Sequence, residues 1–292
     1  IKWLNEWITH EKSTKCESLM SMNTALWVKH ISFFLMICMA TVNVQAIEVV
    51  VATGVNDDPP YVYGDDVIAT KNPGVTIEIL KLIENKNDIR FTILKQPWKR
   101  VVSNIKDNKI DGGFHFSFKE KRKSFVAYPI INGENTPSAL YGISKRSYYL
   151  YRLTGQTTHW NGHEIVGDVE GALNIAAIRG GSITQDITSL GNQLKEVSND
   201  LQLIKLLLTN RVHAFVALEN MLDPKIENLS YKEREQIEKT ALPMVSKDYY
   251  IAFSKAFYKR HPDVAWIIWN TIKQIKQDGE LKRIFKKYAQ LQ

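Results

Sequence analysis

Beyond residue 46 the chain has no cysteine; its two, Cys16 and Cys38, both precede that point. A chain beginning after Ala46 therefore has no disulfide, no thiol nucleophile and no cysteine-based metal site. Long apolar runs are also missing. The strongest, residues 31–40, is about half the roughly 20 residues that a bilayer-spanning helix needs. No internal repeat or low-complexity segment stands out. Charge is only moderately one-sided, +7 from 38 Lys/Arg against 31 Asp/Glu. Its densest cluster, residues 273–287, alternates lysines with Ile275, Leu281, Ile284 and Phe285. That pattern reads as the solvated face of a helix and not as a nucleic-acid surface.

What is present at the N-terminus reads as an address. Residues 22–46 carry Lys29, the apolar run, and Val44-Gln45-Ala46 with small residues at the −3 and −1 positions. This predicts a signal peptide cleaved after Ala46 and export to the periplasm, with an uncleaved anchor as the alternative. Leu35-Met36-Ile37-Cys38 fails as a lipidation signal because Ile37 is not small. Residues 1–21 read as an upstream segment. Without residues 1–46, with their 4 Lys and 3 Glu, the balance is 34 basic against 28 acidic groups, still positive.

From Glu48 onward, strand and helix alternate. Residues 49–53 are β-branched and read as a strand, and a turn-rich loop follows with Asp57-Asp58-Pro59-Pro60-Tyr61. Residues 75–84 read as a helix, 90–94 as a strand, and Val101, Val102 and Ile105 as a second helix face. Phe114, Phe116 and Phe118 alternate with His115 and Ser117, which predicts a strand ending near Arg122. A second series predicts a strand at 173–178, helices at 183–190 and 201–208, and a strand at 212–218. Residues 146–165 read as the passage between the series, 249–254 as a returning strand, and His261-Pro262-Asp263 as a helix start. The alternation argues for an α/β fold with parallel strands.

In order along about 245 residues, these features resemble the extracytoplasmic solute-binding proteins, family 3, of polar amino-acid ABC importers. The matching residues are the Pro-Pro-Tyr loop, Gly74-Val75-x-Ile77-Glu78-Ile79, Trp98, Lys109-Ile110-Asp111-Gly112, Ser117-x-x-x-x-Arg122 and Tyr128-Pro129. Gly181-Ser182, Arg211-Val212-His213-Ala214 and Asp278-Gly279-x-Leu281-x-x-Ile284-x-x-x-Tyr288 complete the set. The resemblance implies a two-lobed, type II periplasmic-binding-protein-like fold with two crossing hinge strands. Lobe 1 would hold 47–142 and 247–292, lobe 2 would hold 143–246, and hinge closure would enclose a small solute.

The resemblance also assigns roles. Arg122 matches the arginine that clamps a ligand carboxylate, a task for a planar bidentate donor; alone, it would read as one more surface charge in residues 119–123. Gly181 and Ser182 stand where a strand feeds a helix, so backbone N–H groups there would receive an anion, or Ser182 would simply cap the helix. Trp98 and Tyr61 are candidate aromatic walls, with core packing as the alternative, and Ser117 would contact the ligand at a strand end. Two departures concern the ligand ammonium. Val55 stands where an acid is usual, with Asp58 nearby, and Leu218 replaces a second acid, with Glu219 adjacent. Lys119 occupies a position usually threonine.

The function expected is periplasmic binding of a small carboxylate-bearing solute, an amino acid or a related compound, for an inner-membrane ABC permease. A monomer without cofactor or nucleic-acid partner is expected. Rival readings are a periplasmic sensor docking a membrane receptor and a dehydratase-like enzyme using Glu219, His115 and Asp58. His159 and His163 have the spacing of a zinc pair on a helix, but Gly162 and the loop-like surroundings favour ordinary loop histidines.

Overall fold

The computed structural model describes residues 46–290. Of the expected leader and upstream segment, all but Ala46 lie outside the described residues.

Eight strands carry the fold. They are β1 (Ile47–Thr53), β2 (Ile89–Lys95), β3 (Gly112–Ser117), β4 (Ser144–Leu153), β5 (Asn174–Ile178), β6 (Gln193–Val197), β7 (Ala214–Leu218) and β8 (Val245–Ser254). Their order across the sheet is β2-β1-β3-β8-β4-β7-β5-β6. At one end β1 runs parallel to β2 and β3; at the other, β5 runs parallel to β6 and β7. The middle is antiparallel, β3 against β8, β8 against β4, and β4 against β7. Two parallel α/β units are thus joined through two long strands, β4 and β8. This is the two-lobed architecture expected, with β4 and β8 as the crossing strands.

The cores divide accordingly. Helix α1 (Val75–Lys86) buries Ile77, Ile79, Leu80 and Ile83 against β1 and the C-terminal helices α6 (Pro262–Gln277) and α7 (Glu280–Ala289). Helix α2 (Trp98–Lys106) buries Val101 and Ile105 on the other side of the same strands, with Phe116, Tyr128 and Tyr250. Two further clusters draw only on residues between Tyr148 and Tyr249 and include α3 (Thr184–Ser189), α4 (Asp200–Leu208) and α5 (Glu219–Glu227). Pro262 opens α6 at its first turn, as the sequence predicts, and Gly279 in the left-handed region separates α6 from α7.

Gly74 sets the start of α1. Its φ is +112°, and a Cβ there would lie 2.3 Å from the carbonyl oxygen of Tyr61. Gly74→Ala is expected to destabilise the protein by about 2 kcal/mol or more, because the new methyl meets backbone at a φ that L-residues avoid. Urea unfolding checks this.

Three local departures matter for the site. Residues 146–153, expected to belong to the passage between units, fall in the central strand β4 (Ser144–Leu153), and Gln193–Val197 forms an edge strand. The returning strand β8 begins at Val245 and not at 249. The alternation expected along β3 breaks at His115, whose φ is +65°. Between the pairs Tyr250–Phe116 and Ala252–Gly113, β3 carries one more residue than β8, a β-bulge. Phe114 and Phe116 therefore enter different core clusters instead of sharing one face.

Candidate functional site

A cavity of about 340 Å³ opens where the two parallel units meet the crossing strands. It is lined from β1 and its following loop (Thr53, Val55, Asp58), from α2 (Trp98), from β3 (His115, Ser117) and by Arg122. Across it stand Arg146 and Tyr148 of β4, Gly181 and Ser182 after β5, Leu218 and Met221, and Tyr249 of β8. A wider, more open depression of about 570 Å³ lies beside it, with Lys119, Asp186 and Lys247 in its wall. The smaller cavity gathers most of the residues with candidate roles.

Arg122 follows β3 in a short 3₁₀ turn, Glu120–Ser124, that folds its side chain back to 8% exposure. Nη1 donates to the Ser117 carbonyl (3.1 Å) and Nη2 to the Gly180 carbonyl (3.2 Å). The Ser117 carbonyl also accepts from the Tyr128 hydroxyl at 3.0 Å. Two of the five guanidinium N–H groups are thus used by neutral oxygens. Among the described residues, no carboxylate lies within ion-pair distance of Arg122. Trp98 lies against Phe116, ring centroids 4.7 Å apart, and its Nε1 donates to the Gly180 carbonyl at 3.1 Å. Arg122 and Trp98 therefore meet one carbonyl of the opposite unit, on a glycine whose φ is +74°.

Asp58 is fully committed. Its Oδ2 accepts from Arg146 Nη1 (2.6 Å) and His115 Nδ1 (3.0 Å), and its Oδ1 accepts from Asn220 Nδ2 (2.8 Å). Asn220 Nδ2 also reaches the Pro59 carbonyl at 2.8 Å. Burial alone would raise the Asp58 pKa; the Arg146 charge and the His115 hydrogen bond outweigh it and hold this carboxyl well below the usual range. His115 is lowered to about 4, chiefly by burial and by the Arg146 charge, against the opposing pull of Asp58. It is therefore neutral near pH 7, with Nδ1–H donating to Asp58 and Nε2 accepting from the Thr76 hydroxyl at 2.9 Å. The Arg146 guanidinium stacks on the Tyr61 ring at 4.0 Å and lies 5.1 Å from the Tyr249 ring. Its Nη2 is buried with no hydrogen-bond partner.

This pair of shifts predicts acid sensitivity. The folded pKa of His115 lies below its unfolded value near 6.5, so the unfolded chain binds a proton that the folded one refuses. Stability contributed this way is whole above 6.5 and falls as pH drops toward 4, by about 2 kcal/mol at pH 4.5. The depressed Asp58 adds a further loss only below its unfolded value near 4. Urea unfolding from pH 7 to 4.5 should show this decline, and His115→Gln should flatten it.

Other expected site residues fall elsewhere. Tyr61 does not line the cavity; it is buried behind it, under Arg146 and edge-on to His115 and Phe285. Glu219 also lies outside the cavity lining. As the first residue of α5 it pairs with Lys239 at 2.5 Å, which Asp223 shares. Gly181 lines the cavity, but its N–H turns back to the Ile178 carbonyl at 3.0 Å. The helix after it begins only at Thr184, six residues long, and its N-cap is Ile183. The Gly181 N–H is thus engaged within its own turn, and the Ser182 hydroxyl lies 3.4 Å from the Tyr148 hydroxyl. Ser117 lies where the sequence places it, at the end of β3.

Sequence reasoning missed Arg146 and Asn220. The signal for Arg146 was present: Arg146, Tyr148 and Leu150 alternate with Ser147 and Tyr149, and the first set is buried. Asn220 carries no such pattern.

A family model, bacterial extracellular solute-binding proteins, family 3, matches residues 50–291. The chain belongs to this family.

No curated protein matches the family 3 chain in sequence. Solved structures share its fold. An ancestral arginine-binding protein bound to arginine is 16% identical with a TM-score of 0.63, over 84% of this chain and 99% of that one. An amino acid ABC transporter substrate-binding protein, AbpA, from Streptococcus pneumoniae bound to L-arginine is 17% identical with a TM-score of 0.61, over 82% and 94%. The ancestral amino acid-binding protein AncCDT-1, a precursor of cyclohexadienyl dehydratase, is 13% identical with a TM-score of 0.58, over 82% and 94%.

Among the described residues no cluster of three or more His, Cys, Asp or Glu is placed to hold a metal ion. His159 and His163 sit in and beside a hairpin pairing His159–Trp160 with Ile165–Val166, not on a helix face. Nor is any described helix long and apolar enough to cross a membrane.

Proposed function

We propose that this family 3 protein binds a small carboxylate-bearing solute in the 340 Å³ cavity, with Arg122 as the carboxylate clamp and Trp98 as an apolar wall. The carrying observation is Arg122 itself: a buried guanidinium with no carboxylate partner among the described residues and N–H groups left over. A buried cation of this kind favours an anion, because a charge-assisted, bidentate contact offsets its desolvation. Ser117 and Ser182 flank it. The remaining assignments belong to the same proposal: lobes at 47–142 with 247–292 and at 143–246, hinge closure through β4 and β8, export by a cleaved leader, and delivery as a monomer to an inner-membrane ABC permease. Transport is supported by family membership and by fold relatives described as ABC transporter components.

Catalysis has less support. Of the acid–base candidates, Glu219 lies outside the cavity lining, Asp58 is held by Arg146, His115 and Asn220, and both ring nitrogens of His115 are engaged. General acid–base work needs a group free to exchange a proton with the substrate.

Native mass spectrometry of freshly purified protein tests the proposal. A retained small molecule, identified after release as a carboxylate and recovered unaltered on incubation, is the expected result. A retained compound without any acidic group, or its conversion into product, would contradict it.

A further inference from the structure

The charges around the cavity are unevenly committed. Two carboxylates line it, and both are already paired: Asp58 with Arg146, and Asp200 with Lys225 at 2.7 Å. Asp58 also holds His115 and Asn220, so three of its roughly four acceptor sites are filled and its charge is matched by Arg146. Two guanidinium groups line the same cavity. Arg122 faces no carboxylate among the described residues and keeps N–H groups to offer, whereas Arg146 is held by Asp58 and its unpartnered Nη2 has no surface open to the cavity. The hydroxyls nearby are largely turned on each other, Tyr249 to Tyr148 at 3.2 Å and Tyr148 to Ser182 at 3.4 Å. Trp98, Ile178, Val216 and Met221 add apolar wall, beside the neutral polar Thr53, Asn56, Ser198 and Asn199.

An α-ammonium in this cavity would lose its hydration and meet no free carboxylate, while lying near two cations. Desolvating a charge without an opposite partner is strongly unfavourable. An anion suffers no such loss, because the unused Arg122 donors meet its carboxylate.

We infer that the cavity selects small organic acids lacking an α-ammonium, with 2-hydroxy, 2-oxo or dicarboxylic acids as the class. Their carboxylate meets Arg122. This rests on the reading of Arg122 as the carboxylate clamp. The internal Asp58–Arg146 pair is the specificity device, because it neutralises the acid that an amino group would otherwise use.

Calorimetry at pH 7.5 with matched sets separates the two claims. The probes are L-aspartate against L-malate, L-leucine against 2-oxoisocaproate, and L-phenylalanine against phenyllactate and 3-phenylpropionate. Whichever set binds, the hydroxy or oxo acid should bind at least ~10-fold tighter than the amino acid, a difference of about 1.4 kcal/mol. Val55 lines the cavity without a polar side chain, so Val55→Asp should supply an uncommitted acid and shift the ratio at least ~10-fold toward the amino acid. An amino acid bound tighter than its partner, with binding lost in Arg122→Ala, would overturn this inference and leave the clamp standing. No binding by any probe would overturn both the inference and the clamp.

Discussion

Replacing Arg122 with alanine is expected to weaken solute binding by about 100-fold or more, since truncating one member of a buried, hydrogen-bonded charge pair costs about 2–5 kcal/mol. The loss should be in affinity, read by calorimetry with a solute that binds the unaltered protein. Arg122→Lys should recover only part of it, because an ammonium lacks the planar fork that meets both carboxylate oxygens. Arg122 also donates to the Ser117 and Gly180 carbonyls, so its removal loosens one contact between the two units. Thermal unfolding of the variant distinguishes that effect. A well-folded alanine variant with undiminished affinity would remove Arg122 from the site.

The second large effect concerns stability. Asp58→Asn leaves the Arg146 guanidinium buried without its counter-ion, and a change of this kind costs about 3–5 kcal/mol. For a domain of this size that corresponds to a fall of roughly 10 °C in Tm. Arg146→Leu should cost a similar amount, because it strands the Asp58 carboxylate with only His115 and Asn220. The two losses should not add in the double variant, since each single change already breaks the same pair. Melting points within 2 °C of the unaltered protein would show that the network contributes little. The network also joins the units, for Asn220 lies in the first turn of α5 while Asp58 follows β1. Weakening it should therefore alter closure as well as folding.

The sequence was most informative where periodicity and turn chemistry coincide. Residues 49–53, 75–84 and 90–94 read correctly because a β-branched run buried on both sides, a helical stripe and a short strand are each recognisable from their own residues. Arg122, Ser117 and Trp98 were placed in one cleft by their order along the family pattern, and the structure brings all three to one cavity. Less legible was β4, whose sequence SKRSYYLYRL is polar enough to pass for a connection although its alternate residues are buried. Edge strand β6 was missed for a related reason: QLKEV buries only Val197. Periodicity shows which face of a segment is inside, not what it meets there. The polarity of Asp58 and Glu219 was visible; that Asp58 would be consumed by Arg146, and Glu219 by Lys239 outside the cavity lining, was not. His115 shows the limit most plainly. Its left-handed φ inverts the alternation of β3, at a strain of about 1–2 kcal/mol, and no local residue pattern announces it. The surrounding hydrogen bonds to Asp58 and Thr76 hold it there.

The crystal structure of the protein with its solute bound tests the central claim most directly. The account predicts a carboxylate within hydrogen-bond distance of the Arg122 guanidinium, with the body of the solute against Trp98 and between the two units. A solute seated instead in the open depression beside Lys119 and Lys247, or one that presents no acidic oxygen to Arg122, would contradict it.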